Sequence, residues 1–337
     1  MTDKNNYLLE VKDLKTSFFT SKGEVKAVNG VSFHVDRGEV VAIVGESGCG
    51  KSVTQMSIMQ LVQSPPGKIL GGEVLFEGKN LLEYKSNSRE MRDIRGNKIA
   101  MIFQEPMTAI DPVMTIGNQL VEVIRTHRNV SKKEALVIAE EALDAVGIPD
   151  AKSRLSNYPF EMSGGMRQRV MIATAVACNS ELLIADEPTT ALDVTTQAQV
   201  MELLVDIVRK RNMSMIIVTH NLGVVNRYAD RIYVMYAGHV VEQGTTEQIL
   251  KNPRHPYTNG LLASVPKLEE EEGEKLIPIP GMPPNLTDFP DECPFIPRCK
   301  YVCDKCKTSK MPPLVGLLSD EGHYLACYVD ICGEVGK

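Results

Sequence analysis

An α/β fold built on a parallel sheet is predicted by two patterns in this 337-residue sequence. Four apolar runs proceed without polar alternation, at 40–44, 98–103, 182–185 and 215–219. Such runs mark strands covered on both faces, as parallel strands are. Directly after the first run comes Gly45-Glu46-Ser47-Gly48-Cys49-Gly50-Lys51-Ser52, which fits G-x-x-x-x-G-K-[ST] at every fixed position.

A strand running into that loop makes a phosphate cradle. Its glycines let successive backbone N–H groups point at a polyphosphate, the Lys51 ammonium reaches the β- and γ-phosphates, and the Ser52 hydroxyl can ligate Mg²⁺. A nucleoside triphosphate is the expected ligand. The other three runs stop at Gln104, at Asp186-Glu187 and at His220. In open α/β sheets ligands bind beyond the carboxyl ends of the strands, so these groups are expected to meet the phosphates. Asp186 has the setting of an acid that holds Mg²⁺. Glu187 is placed to be the general base that polarises a water in line with the γ-phosphorus, and His220 to contact that phosphate.

Composition excludes several classes. A net charge of −6 and an isoelectric point near 5.7 leave no basic footprint for nucleic acid. The first residues, Met1-Thr2-Asp3-Lys4-Asn5-Asn6, lack the apolar core of a signal peptide, and no run approaches the roughly 18 apolar residues of a membrane span. The expectation is a soluble, cytosolic chain whose membrane role, if any, comes through other subunits.

Between the second and third runs lies Met162-Ser163-Gly164-Gly165-Met166-Arg167-Gln168-Arg169, opening a stretch of helical apolar spacing. Ser163, Gly164 and Gly165 at a helix start form an anion site, although the chain already has its own cradle. That redundancy is resolved by a resemblance. The chain is similar to the ATP-binding-cassette (ABC) ATPases, whose signature motif, commonly L-S-G-G-Q, caps a nucleotide held by a partner's phosphate loop. Met162 and Met166 depart from that motif, and Met166 resembles the S-G-G-M variant of peptide importers.

The resemblance implies further roles in chain order. Gln104 is similar to the family's Q-loop glutamine, Ala191-Leu192-Asp193 to its D-loop, and His220 to its switch histidine. An aromatic upstream of the phosphate loop stacks on adenine in the family; Phe18 is the choice here and Phe19 the alternative. The expected cassette spans 1–252, with an antiparallel patch from about residue 7 and a helical subdomain at about 105–180, where 134–146 is strongly periodic. Tyr233 to Glu242 reads as a hairpin turning at Ala237-Gly238.

A second domain is expected at 253–337, opening with Arg254-His255-Pro256-Tyr257 and carrying the acidic run Glu269–Glu272, read as a solvated linker. Six of the eight cysteines follow: Cys293, Cys299, Cys303, Cys306, Cys327 and Cys332. Clustered thiols in a cytosolic chain point to a metal rather than to disulfides. The segment resembles the C-terminal extension of ATPase subunits of bacterial oligopeptide and dipeptide importers. Some relatives carry a [4Fe–4S] cluster there, and on that pattern Cys293, Cys299, Cys306 and Cys327 are its ligands, with Cys303 and Cys332 extra. A Zn²⁺ site of Cys303, Cys306, Cys327 and His323 is the alternative, and thiols without metal the third. A stabilising role is expected, with nucleotide chemistry little affected, because the tail lies outside every motif that touches nucleotide.

The function implied is ATP hydrolysis in a peptide importer. The implied partners are a second cassette, itself or a paralogue, two transmembrane permease subunits at the cytoplasmic face of the membrane and, indirectly, an extracytoplasmic solute-binding protein. An importer of nickel or an oligosaccharide is the nearer alternative. A soluble ABC ATPase of DNA repair or translation is the more distant one, and it lacks support from coiled-coil inserts or a second cassette in the chain.

Overall fold

A computed structural model of the chain describes residues 7–104, 109–189, 193–264, 278–287 and 291–332. The expected acidic linker at Glu269–Glu272 and the residues Ala191 and Leu192 lie outside them. The fold is an α/β cassette with an antiparallel patch and a helical region, and it divides into two compact units: 1–35, 40–82 and 219–337 in the first, 36–39 and 83–218 in the second.

In the first unit, β1 (Leu9–Thr20) pairs antiparallel with β2 (Gly23–Val35) and with β4 (Gly67–Phe76), and β4 continues into the short β5 (Lys79–Asn80). Alternation explains the patch, since Leu9, Val11 and Leu14 of β1 are buried while Lys12 and Asp13 face water. β3 (Val40–Val44) is buried along its whole length, as its uninterrupted apolarity predicts, and runs parallel to β9 (Arg231–Tyr236). β9 turns at Ala237 and Gly238, with φ of 48° and 79°, into β10 (His239–Thr245), and Tyr236 pairs with His239. Two consecutive positive φ values match the twist of a tight hairpin, and Gly238 supplies one of them without strain.

The chain after residue 253 joins this same unit. It adds β12 (Asp320–Leu325) antiparallel to β10 and β11 (Val315–Leu317) beside β12. These strands are absent from the sequence reading, because they are short, are interrupted by Gly316 and Gly322, and lack alternation. The extension also reaches the core: Tyr257 and Phe295 are buried against Val44, Val234 and Tyr236. Burying two such rings contributes on the order of 5 kcal/mol.

In the second unit β6 (Ile99–Ile102), β7 (Leu182–Asp186) and β8 (Ser214–Thr219) are parallel neighbours in the order β8-β7-β6. β6 is shorter than the apolar run, since the Lys98 N–H donates back to the Ile94 carbonyl. The expected helical region contains helices Ile116–His127, Lys132–Ala145, Ala151–Arg154 and Gly164–Val176. The periodic stretch falls in the second of these, which starts on a capping box between Ser131 and Glu134.

Candidate functional site

The phosphate loop lies in the first unit, between β3 and the helix Lys51–Ile58. Its glycines are required by space. A Cβ on Gly45 would stand 2.2 Å from the Met235 carbonyl oxygen, and one on Gly50, at φ +101°, 2.2 Å from that of Ala27. Gly48 at φ +79° meets no neighbour and is needed for its conformation alone. The Lys51 ammonium is buried and donates to the Gly45 and Glu46 carbonyls at 2.9 and 3.0 Å, and Thr54 Oγ1 donates to the Gly50 carbonyl. Cys49 fills the space inside the loop, and burial pushes its thiol up, so it is a packing group. A cavity of about 480 Å³ opens beside Gly45, Glu46 and Ser47, with His220 and Leu222 on its wall. A narrow loop of backbone donors, a lysine and the Ser52 hydroxyl fit a Mg²⁺-bound triphosphate.

In the second unit β7 delivers Asp186 as its last, buried residue. Glu187 follows at φ +45°, its N–H donating to the Val218 carbonyl at 2.9 Å. The turn presents the Glu187 carboxylate, whose Oε2 accepts a 2.9 Å hydrogen bond from Gln104 Nε2. Two groups separated by 83 positions in sequence, each expected at a strand end, therefore meet. Ser163 caps the helix Gly164–Val176 by accepting from the Met166 N–H, and Gly164 and Gly165 form its first turn. Met162 is buried, which accounts for an apolar residue before the serine. Gln168 of this helix hydrogen-bonds the Pro188 carbonyl, tying the Ser-Gly-Gly turn to the exit of β7. Asp193 caps the helix Val194–Lys210, with Oδ1 accepting from the Thr196 N–H and Oδ2 from its hydroxyl. Phe18 on β1 is half-buried with its ring against Gly67, whereas Phe19 is 50 % exposed.

The extension reaches the phosphate loop, through contacts the sequence did not announce. His255 caps the helix Pro256–Ala263, its Nδ1 accepting from the Tyr257 N–H at 3.0 Å, and the Tyr257 hydroxyl accepts from the Glu46 N–H at 2.8 Å. Arg298 Nη1 and Nη2 donate to the two Glu46 carboxylate oxygens at 2.6 and 3.0 Å. Leu261, Ser264 and Pro283 line the cavity beside the loop. Sequence reasoning had singled out both segments for other reasons and missed these contacts, which pair residues as far as 252 positions apart.

Among the described residues no group of three or more His, Cys, Asp or Glu side chains stands ready to hold a metal ion. Burial first, and then Cys293, Cys299 and Cys306, push the Cys327 thiol up to about 12, and burial with Cys299 and Cys306 raises Cys293 to about 11. Cys303 Sγ lies 3.4 Å from Cys306 Sγ, while Cys332 donates to the Pro253 carbonyl. The zinc alternative loses one ligand. Both ring nitrogens of the buried His323 are engaged, Nε2 with Glu242 at 2.8 Å and Nδ1 with Asp320 at 2.9 Å.

The protein resembles the oligopeptide transport ATP-binding protein OppD of Bacillus subtilis, with 52 % identity over 322 residues that cover 96 % of this chain and 88 % of that one. The chain belongs to the ATP-binding subunits of ABC transporters. Residues 28–190 match the ABC transporter family profile, and 241–306 match that of the oligopeptide/dipeptide transporter C-terminal region. The dipeptide transport ATP-binding protein DppD of the same organism is 52 % identical over 301 residues, 88 % of this chain and 89 % of its own. Among solved structures, the cassette MJ0796, a dimer bound to ADP and phosphate, superposes with a TM-score of 0.63 at 27 % identity, covering 71 % of this chain and 98 % of that one. The cbiO1 cassette of Clostridium perfringens gives 0.61 at 27 % identity, covering 74 % and 92 %. The cassette described above is thus an ABC-type ATPase. Among its described residues no helix is long and apolar enough to cross a membrane.

Proposed function

We propose that this cassette hydrolyses ATP to drive import of di- or oligopeptides through transmembrane permease subunits at the cytoplasmic face of the membrane. The observation that carries the peptide assignment is the extension: the oligopeptide/dipeptide profile matches it at 241–306, and OppD and DppD are similar along nearly their whole length. The functional division is a cassette at 1–252 and an extension at 253–337.

Gly45 to Ser52 hold the triphosphate, with Lys51 on the β- and γ-phosphates and Phe18 under the adenine. Ser52, Asp186 and Gln104 take the metal, and bound Mg²⁺ supplies charge neutralisation at the phosphate oxygens. Glu187 would accept a proton from the attacking water as it adds to the γ-phosphorus, the bond to the β–γ bridging oxygen breaking to release ADP, and His220 would steady the transferred phosphate. Ser163, Gly164 and Gly165, with Asp193, serve the nucleotide of a second cassette, an arrangement supported by the dimeric nucleotide-bound relative. Each ATP then joins two surfaces, and hydrolysis parts them.

The extension carries a [4Fe–4S] cluster on Cys293, Cys299, Cys306 and Cys327. Soft thiol donors suit iron. A solute-binding protein delivers peptide on the far side without touching this chain.

The deciding experiment reconstitutes the full chain with its permease and cassette partners in vesicles and follows uptake. ATP-dependent uptake of a labelled peptide, abolished by Glu187→Gln, is the expected result. Uptake of nickel or an oligosaccharide with no peptide uptake would overturn the peptide assignment.

A further inference from the structure

Glu46 is the one acidic side chain in the phosphate loop. A carboxylate in a loop that gathers polyphosphate works against binding unless its charge is answered nearby, since like charges a few ångströms apart repel by more than thermal energy even near a protein surface. The answer comes from the extension. Arg298 is 4 % exposed at its side chain, and all of its donor nitrogens are used: Nη1 and Nη2 fork onto Glu46, Nη1 also reaches the Tyr236 hydroxyl, Nη2 the Ile279 carbonyl, and Nε donates to the Pro280 carbonyl at 3.0 Å. A guanidinium held on every side is fixed in place, and the two-pronged contact fixes the carboxylate with it. On the backbone side of the same residue, the Tyr257 hydroxyl accepts the Glu46 N–H.

We propose that Arg298 is a positioning residue for ATP binding: it cancels the Glu46 charge and holds that side chain out of competition with the phosphates, so that the C-terminal extension completes the phosphate loop. This rests on the assignment of Gly45–Ser52 to ATP. The turn Ile296–Arg298 that carries the guanidinium is closed by local bonds, from the Ile296 N–H to the Cys293 carbonyl and from the Cys299 N–H to the Ile296 carbonyl. The same short turn therefore presents a charge to the loop and ends at two of the clustered thiols.

The test is a double-mutant cycle on the full chain, reading the Kd for Mg-ATP by equilibrium dialysis. R298Q should weaken ATP binding about tenfold or more, because it leaves an unanswered carboxylate beside the phosphates. In an E46Q background the same change should cost less than about twofold. The loss in R298Q should also shrink in high salt, which a purely structural defect would not do. Equal losses in the two backgrounds, or no loss from R298Q, would overturn the proposal. Should R298Q fail to fold, R298K keeps the charge without the fork, and its loss must likewise depend on Glu46. K51A is the separate control. If K51A bound ATP as the parent does, the assignment of the loop itself would fall, whereas a weakened K51A beside an unaffected R298Q would sink only the role of Arg298.

Discussion

Glu187 holds a left-handed backbone, φ +45°, that an L residue adopts at a cost of roughly 1–2 kcal/mol, at the point where β7 ends and its carboxylate meets Gln104. The isosteric Glu187→Gln keeps both the conformation and the volume and removes only the base. Turnover in the assembled transporter should fall by roughly 10²–10⁴-fold while ATP binding stays within a few-fold. Lys51→Ala should do the reverse and raise the Kd for ATP. Steady-state hydrolysis together with nucleotide titration separates the two, and unchanged turnover in Glu187→Gln would remove it as the base. The residues of this site were legible because each does a local task. Glycines at 45 and 50 are forced by carbonyl oxygens that a Cβ would meet at 2.2 Å, and Asp186 and Glu187 are the polar stop on an apolar strand. Glu46 was legible only as a member of the phosphate loop, since its partner is set by tertiary packing.

His-Pro-Tyr, by contrast, makes sense only as an element. Histidine caps a helix with a ring nitrogen, proline occupies the first turn where no N–H is needed, and tyrosine extends its hydroxyl to the loop. The cap demands a neutral imidazole, and burial lowers His255 to about 4. The unfolded chain, with a histidine near 6.5, takes up its proton first, so this group withdraws stability as pH falls from about 6.5 toward 4, by about 3 kcal/mol at the low end. His239, also lowered to about 4 by burial, acts in the same direction. His323 has the opposite sign. Burial opposes its charge, but Glu242 and Asp320 outweigh burial and raise it, so its contribution is present below about 6.5 and fades as pH rises above that. His255→Asn, which keeps a capping acceptor, should flatten the dependence of the urea midpoint on pH between 6.5 and 4. Parallel curves for the variant and the parent would rule out His255 as the source. The sequence announced this motif by resemblance alone. Neither its capping geometry nor the tail strands β11 and β12 had a periodic signature to read.

At the scale of the whole chain, the cysteine-rich extension carries the cluster proposed above. Anaerobically prepared protein should contain about four iron and four sulfide per chain. Serine at Cys293, Cys299, Cys306 or Cys327 should lose most of the iron, and serine at Cys303 or Cys332 should lose none. Zinc in place of iron, or no metal at all, by elemental analysis would remove the cluster. A stronger expectation for ATP follows than the sequence allowed. Because Arg298 adjoins Cys299, disturbing the thiol group should reach the phosphate loop, where the sequence reading expected near independence. The fork from Arg298 to Glu46 joins an early position to one made 252 residues later. On the ribosome, a cassette whose phosphate loop has emerged still waits for most of the remaining chain before its acidic side chain is matched. On the proposal above, ATP binds such a nascent cassette more weakly until Arg298 has been added.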